Sequence, residues 1–204
     1  MHSIRVASED DLPALSAMLA RAFDQDPFWR WIVGDQGDYQ ARLGLGFAAQ
    51  LRHLALPGGL VWCGEQHQGA SLWSAPGQWH LGVLQQLRFL PDFFRMTDWQ
   101  RLWTVSRAIQ AVQDVHPQTP HYYLQVLGVD PMHQGKGWSR PLLQIILARA
   151  DQEQMPVYLE TAEESNLSLY RRYGFEVSKI LTDLPGEAPP LWCMWREPDR
   201  AGAM

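Results

Sequence analysis

Apolar and polar residues change their spacing along this chain in a way that divides it into elements. Ser3 to Ala7 alternates, the period of a half-buried strand. Leu12, Leu15, Leu19 and Phe23 then recur every three or four residues. This predicts a helix from about Glu9 to Phe23, with Ser8 at its N-cap and Asp11 three residues on. Asp26-Pro27 stops that helix, and Phe28, Trp29, Trp31 and Ile32 form a short second one ended by Gly34. Leu43, Phe47, Leu51 and Leu54 predict a third helix between Asp38 and Leu56, closed by the turn Pro57-Gly58-Gly59. Leu60 to Cys63 and Ala70 to Trp73 are short apolar runs across a polar link, which is the pattern of a hairpin.

Residues 78–116 return to helical spacing. Leu81, Leu84, Leu87 and Leu90 lead into Pro91. Trp99, Leu102, Trp103, Ile109 and Val112 lie along one side of a later helix that starts near Thr97 or Asp98. Strands are predicted at His121 to Val129, Val157 to Thr161, Phe175 to Leu181 and Leu191 to Arg196. Between them fall a helix carrying Leu142, Leu143, Ile146, Leu147 and Ala150, with Pro141 in its first turn, and a short helix from Ser165-Asn166 to Gly174. The order implies an α+β fold: one domain over residues 1–197, a mixed twisted sheet flanked by helices. Residues 78–116 are a helical insertion before a core at 121–197, and 198–204 are a disordered tail.

Composition narrows the function more than the fold. A net charge of -5 argues against electrostatic binding to nucleic acid or an anionic membrane. Two cysteines, Cys63 and Cys193, make no disulfide framework and lack metal-ligand spacing, so no metal is expected. The first residues are charged, and no apolar run approaches the ~20 residues of a membrane span, so a soluble cytoplasmic protein is expected. Ten tryptophans imply a core built with bulky aromatics, or an aromatic-lined pocket for an apolar substrate.

The chemistry is concentrated in Leu124 to Ala150. A strand breaks at Asp130-Pro131, a glycine turn follows from Gln134 to Ser139, and a helix begins. Strand, glycine turn and helix N-terminus together present backbone N–H groups to a phosphate. The P-loop template fails twice, since Asp130 stands in place of its first glycine and Gly137 in place of its Ser/Thr. The dinucleotide fingerprint fails at Arg140, where its third glycine belongs. What remains is Q-x-x-G-x-S.

That loop, with the strand LQVLGVDP before it, resembles the acetyl-CoA motif of the GNAT superfamily of N-acetyltransferases. The resemblance runs from Tyr122 to Tyr173 through the strand VYLET, the run Asn166 to Tyr170, and Tyr173-Gly174-Phe175. YLETxxxxN, YxxxGF and Trp192-Cys193-Met194 are similar to the puromycin N-acetyltransferase-like branch. The last loop position, usually Gly or Ala in that superfamily, is Ser139 here.

The resemblance implies an acetyl-CoA-dependent enzyme that acetylates the amine of a small molecule directly, without an acyl-cysteine. A homodimer is common among such enzymes. Leu127, Gly128 and Val129 would pair with the pantetheine arm. Gln134, Gly135, Lys136, Gly137, Trp138 and Ser139 would hold the pyrophosphate, and Asn166 would touch the pantetheine. Tyr170 would protonate the CoA sulfur. Glu160 is the first choice for general base, with His121 and Tyr123 as alternatives. Phe28, Trp31, Trp103 and Trp192 are expected around the acceptor, and Asp24 and Asp26 are placed to attract a cationic amine. The competing reading is an acyl-CoA-binding sensor without activity.

Overall fold

The computed structural model describes residues 2–34, 36–79 and 83–199, with no side chains for 83–86. Arg200 to Met204, in the segment expected to be disordered, lie outside the described residues. Among the described residues seven strands form one sheet in the order β1-β2-β3-β4-β5-β7-β6. They are β1 (Ile4–Val6), β2 (Val61–Gly64), β3 (Gly69–Ser74), β4 (Tyr122–Val129), β5 (Val157–Thr161), β6 (Glu176–Leu181) and β7 (Leu191–Arg196). Among these described strands β4 and β5 pair in parallel and the other neighbours are antiparallel. The mixed α+β domain expected from the apolar spacing is the fold that forms.

Helices cover both faces. α1 (Leu12–Ala22), α2 (Pro27–Val33) and α3 (Tyr39–Gln50) bury Leu15, Leu19, Ile32 and Phe47 against Leu72 and Val126 of the sheet. α6 (Ser139–Gln152) packs Leu143, Ile146 and Leu147 on the other face, against Leu124, Leu159 and Met194. α4 (Val83–Met96) and α5 (Leu102–Val115) lie between the third helix and the last strands. Ala108 of α5 meets Tyr158, Leu191 and Cys193. α7 (Leu167–Arg171) closes the second core through Leu167 and Tyr170.

Local structure departs from expectation where tertiary contacts outweigh local signals. Helix α4 runs through Pro91 to Met96 instead of stopping before the proline. Thr97 and Asp98 do not cap the next helix. The Thr97 hydroxyl donates to the Ile32 carbonyl (3.1 Å) and Asp98 accepts from Arg42 (2.9 Å), so α5 begins only at Leu102. Asp26 does more than end α1: its Oδ1 accepts from the N–H groups of Phe28 (3.0 Å) and Trp29 (2.9 Å), capping α2. Asp11 anchors the sheet edge. It accepts two bonds from Arg5 (2.6 and 2.7 Å) and lies 2.7 Å from His67.

One irregularity governs the functional half. Leu72 pairs with Val126, but the next residue, Trp73, pairs with Leu124, so Gln125 is a one-residue bulge in β4. A one-residue slip moves every later side chain to the opposite face. Tyr122 and Leu124 accordingly belong to the core under α6. Val126 belongs to the core under α1 and α3, and Gly128 faces Leu19 and Phe23. Among the described residues no helix is long and apolar enough to cross a membrane.

Candidate active site

The two parallel strands part company early. β4 and β5 pair only at Tyr122, Tyr123 and Leu124 against Val157, Tyr158 and Leu159. Beyond that point β4 continues to Val129, while β5 ends at Thr161. The wedge between them is a cleft of about 570 Å³. Leu127, Gly128 and Val129 form one wall, and Asn166, Leu169 and Tyr170 the other. Phe23 and Asp26 also line it, and the glycine loop lies at its end through Gln134, Gly135, Gly137, Trp138 and Ser139.

The loop is built for close approach. Asp130 accepts from the Met132 N–H (3.0 Å) and starts the turn Pro131–His133. Arg21 of α1 holds the same carboxylate at 2.6 Å, which ties the loop to the helix across the cleft. Gly135 (φ +72°) and Gly137 (φ +81°) are both left-handed, a conformation that an L side chain enters at a cost of ~1–2 kcal/mol. Trp138 is buried; it stacks on His2 at 4.1 Å, and a Cβ on Gly64 would stand 2.9 Å from its ring. It therefore anchors the loop to the β1–β2 edge as well as lining the cleft. Lys136 does not line the cleft. Its Nζ donates to the Met132 carbonyl (2.8 Å), and its own carbonyl lies 2.7 Å from His2 Nε2.

These features fit an anion. Among the described residues, no N–H from Gln134 to Ser139 donates in the main-chain bonds outside helices and strands. The positive end of α6 starts at Ser139. Free amides, two left-handed glycines and a helix N-terminus suit a pyrophosphate. The unpaired edge of β4 suits an amide-bearing arm laid along it.

Tyr170 lines this cleft and also a smaller adjoining cavity of about 230 Å³. Its ring is 6% exposed and meets Phe175 edge-on at 5.9 Å. Burial, reinforced by the nearby Asp26 carboxylate, pushes its phenol well above the ordinary value. Asp26 is itself raised to about 6, chiefly by burial, although the Trp29 and Phe28 N–H groups pull it down. Cys63 and Cys193 are buried within strands, and burial pushes the Cys63 thiol up to about 11 and raises Cys193 as well. Neither is poised as a nucleophile.

Glu160 lies deeper. It lines the 230 Å³ cavity and a further one of about 220 Å³, which share Phe28, Gln50, Val112, Tyr123 and Gln125. Glu160 Oε1 is 3.5 Å from Nδ1 of His116. The three spaces adjoin one another through shared lining: Tyr170 and Asn166 border the first and second, Glu160 and Tyr123 the second and third. Of the four expected aromatic walls, one lines these cavities. Phe28 is there, joined by Trp29, Tyr123 and Trp79. Trp31 instead donates to the Gly186 carbonyl (2.9 Å), Trp103 is 75% exposed, and Trp192 packs in the core under α6. Asp24 is turned toward Arg30 (3.5 Å) and lines none of these cavities. Nothing in the apolar spacing singled out His116 or Gln50. His116 followed the last helical turn and read as part of a helix end.

Residues 98–177 match the model of the acetyltransferase (GNAT) domain family. An uncharacterized N-acetyltransferase of Schizosaccharomyces pombe is 37% identical over 79 residues, which are 38% of this chain and 32% of that protein. The matched segment thus spans about a third of the length of that curated relative. Among solved structures, a histone acetyltransferase HPA2 and related acetyltransferase from Corynebacterium glutamicum superposes with a TM-score of 0.73 at 22% identity, over 98% of both chains. The arylalkylamine N-acetyltransferase 2 of Aedes aegypti gives 0.59 at 12% identity, over 97% of this chain and 99% of that one. These structural likenesses are likenesses of fold.

Proposed function

With an acetyltransferase (GNAT) domain at residues 98–177 in a chain of that fold, we propose that this protein transfers the acetyl group of acetyl-CoA directly to the amine of a small molecule. The observation that carries the reading is the parting of β4 and β5, beside which the glycine loop, Tyr170 and Glu160 line adjoining cavities. Bound acetyl-CoA supplies an activated thioester; everything else is the work of this chain. The amides of Gly135 to Ser139 and the α6 N-terminus hold the pyrophosphate. The free edge of β4 at Leu127 to Val129 orients the arm, with Asn166 opposite.

Tyr170 gives its proton to the departing sulfur. A phenol held well above its ordinary pKa is a weak acid in the ground state and a suitable donor to a thiolate forming beside it. Glu160 takes the proton that the incoming ammonium must lose before its nitrogen can attack. The two buried, high-pKa cysteines favour a ternary complex over a covalent acyl-enzyme. The modest size of the inner cavities favours a small acceptor over a folded protein surface.

The test is acetyl-CoA-dependent thiol release, measured over aminonucleosides, amino acids, polyamines and arylalkylamines. Turnover with one of them is expected. Tight acetyl-CoA binding without turnover of any amine would favour a sensor.

A further inference from the structure

The inner cavities carry a feature that the proposed transfer does not by itself require. His116, His121 and Glu160 form a buried row. His121 Nδ1 lies 2.6 Å from the Thr119 carbonyl, which can only accept, so this nitrogen carries the hydrogen. Neutral His121 then offers Nε2 as an acceptor, 3.0 Å from His116 Nε2. His116 donates there, and its Nδ1 faces Glu160 Oε1 at 3.5 Å. With both imidazoles neutral and Glu160 ionised, that last contact sets a lone pair against a carboxylate. A single added proton satisfies every contact in the row.

The walls around it say what would bring that proton. Gln50 donates through Nε2 to Gln125 Oε1 (3.3 Å), and Gln125 donates to Ser74 (2.5 Å), which leaves Gln50 Oε1 as an acceptor. Gln50 Oε1 and Glu160 Oε1 are both buried without a hydrogen-bond donor among the described residues. Both residues line the two inner cavities. Phe28, Trp79 and Tyr123 supply ring surface, and Leu54, Ile109 and Val112 supply aliphatic surface. Two donor-poor acceptors beside aromatic faces describe a site for an ammonium group. The inner cavity beside His116, about 220 Å³, holds some seven waters at ~30 Å³ each, the room of a single ring and short chain.

We propose that the acceptor is a primary amine on a short, apolar, ring-sized body, bound as its ammonium by Gln50 and Glu160 and deprotonated into the His116–Glu160 pair. This rests on the acetyl-transfer reading. The ammonium gives one proton to the pair; the freed nitrogen forms the C–N bond as the C–S bond breaks. The sulfur takes the Tyr170 proton, and the second nitrogen proton restores Tyr170. The pair returns its proton to solvent when the amide leaves. The other titratable groups facing the row are Tyr123, Tyr158 and Cys193, each raised by burial, and Asp26 at the far side of the adjoining cavity. Lys179 acts on Cys193 from β6.

The experiment uses the full chain. Acetyl-CoA binding is measured by calorimetry, then kcat/KM for a phenethylamine-type amine, an aminonucleoside, spermidine and a peptide with a free N-terminus. The arylalkylamine is expected to lead by about 10-fold or more, the discrimination that a fitted apolar pocket supplies. Glu160→Gln and His116→Gln are each expected to lose about 100-fold at pH 7 with an alkylamine. They should lose far less with an aniline-type amine that is already neutral, and the alkylamine rate should recover as pH rises. A merely structural role would lower both amines alike, so equal losses in both variants would overturn the proposal. So would a preference for spermidine, the aminonucleoside or the peptide, with acetyl transfer itself left standing. Absence of acetyl-CoA binding would remove the transfer reading and this inference together.

Discussion

Replacing Tyr170 by phenylalanine isolates one hydroxyl. The ring is 6% exposed and packs edge-on against Phe175, and phenylalanine keeps that volume and contact. Removal of the hydroxyl leaves the ring packing in place, so its loss should change stability by about 1 kcal/mol at most. Acid catalysis by one positioned group is worth about 10²–10⁴ in rate. The transition state should therefore lose ~3–5 kcal/mol at ~1.4 kcal/mol per tenfold. Burial and Asp26 hold the wild-type phenol well above its usual value of 10, so it stays protonated through mildly alkaline pH. No alkaline decline in kcat from Tyr170 is expected below about pH 9. The assay is steady-state thiol release for both proteins, with calorimetric acetyl-CoA affinity alongside. The expected result is a fall of about 100-fold in kcat with affinity within about twofold. A kcat within about twofold of wild type would refute Tyr170 as the acid, and a parallel loss of acetyl-CoA affinity would make it a binding residue.

Three further outcomes follow from the geometry. Gly137→Ala meets nothing closer than His2 at 3.8 Å, so its cost is the left-handed φ of +81°; a strain of ~1–2 kcal/mol should weaken acetyl-CoA binding about 5- to 30-fold by calorimetry. Gly128→Ala would bring a Cβ within 2.6 Å of Leu19 and 3.1 Å of Phe23, and should lower the urea midpoint by an amount equivalent to ~1–3 kcal/mol. Asp26 has a folded pKa raised from 3.8 to about 6, so its contribution to stability is present below its unfolded value and lost as pH rises through about 6. Asp26→Asn caps α2 equally well without burying charge, and should raise the melting point by about 2–4 °C at pH 8, for ~1 kcal/mol, with no gain at pH 3.5.

Much of the architecture was legible along the chain because its elements carry their own signals. Leu12, Leu15 and Leu19 spell one face of α1. Pro141 sits where a helix tolerates it, and Gly174 (φ +83°) ends the turn after α7. The loop at Gln134 to Ser139 was equally readable, since left-handed glycines and a helix start are local properties of a few consecutive residues. The local signals failed where a distant contact outweighed them. Arg42 took Asp98, Ile32 took Thr97, and α4 ran on through Pro91.

The site divides in the same way. The sequence by itself determined the strand, glycine turn and helix start at Leu124 to Ala150 and the short helix that carries Tyr170. Only the tertiary structure decided which residues line the inner cavities. The Gln125 bulge arises from pairing with β3, and it turns Val126 and Gly128 toward α1, though the run from Tyr122 to Val129 gives no sign of a change of face. His116, Gln50 and Glu160 come from three separate elements, and of the three the chain pointed only to Glu160. Their chemistry depends on distances between side chains far apart in the chain, and chain spacing encodes no such distance.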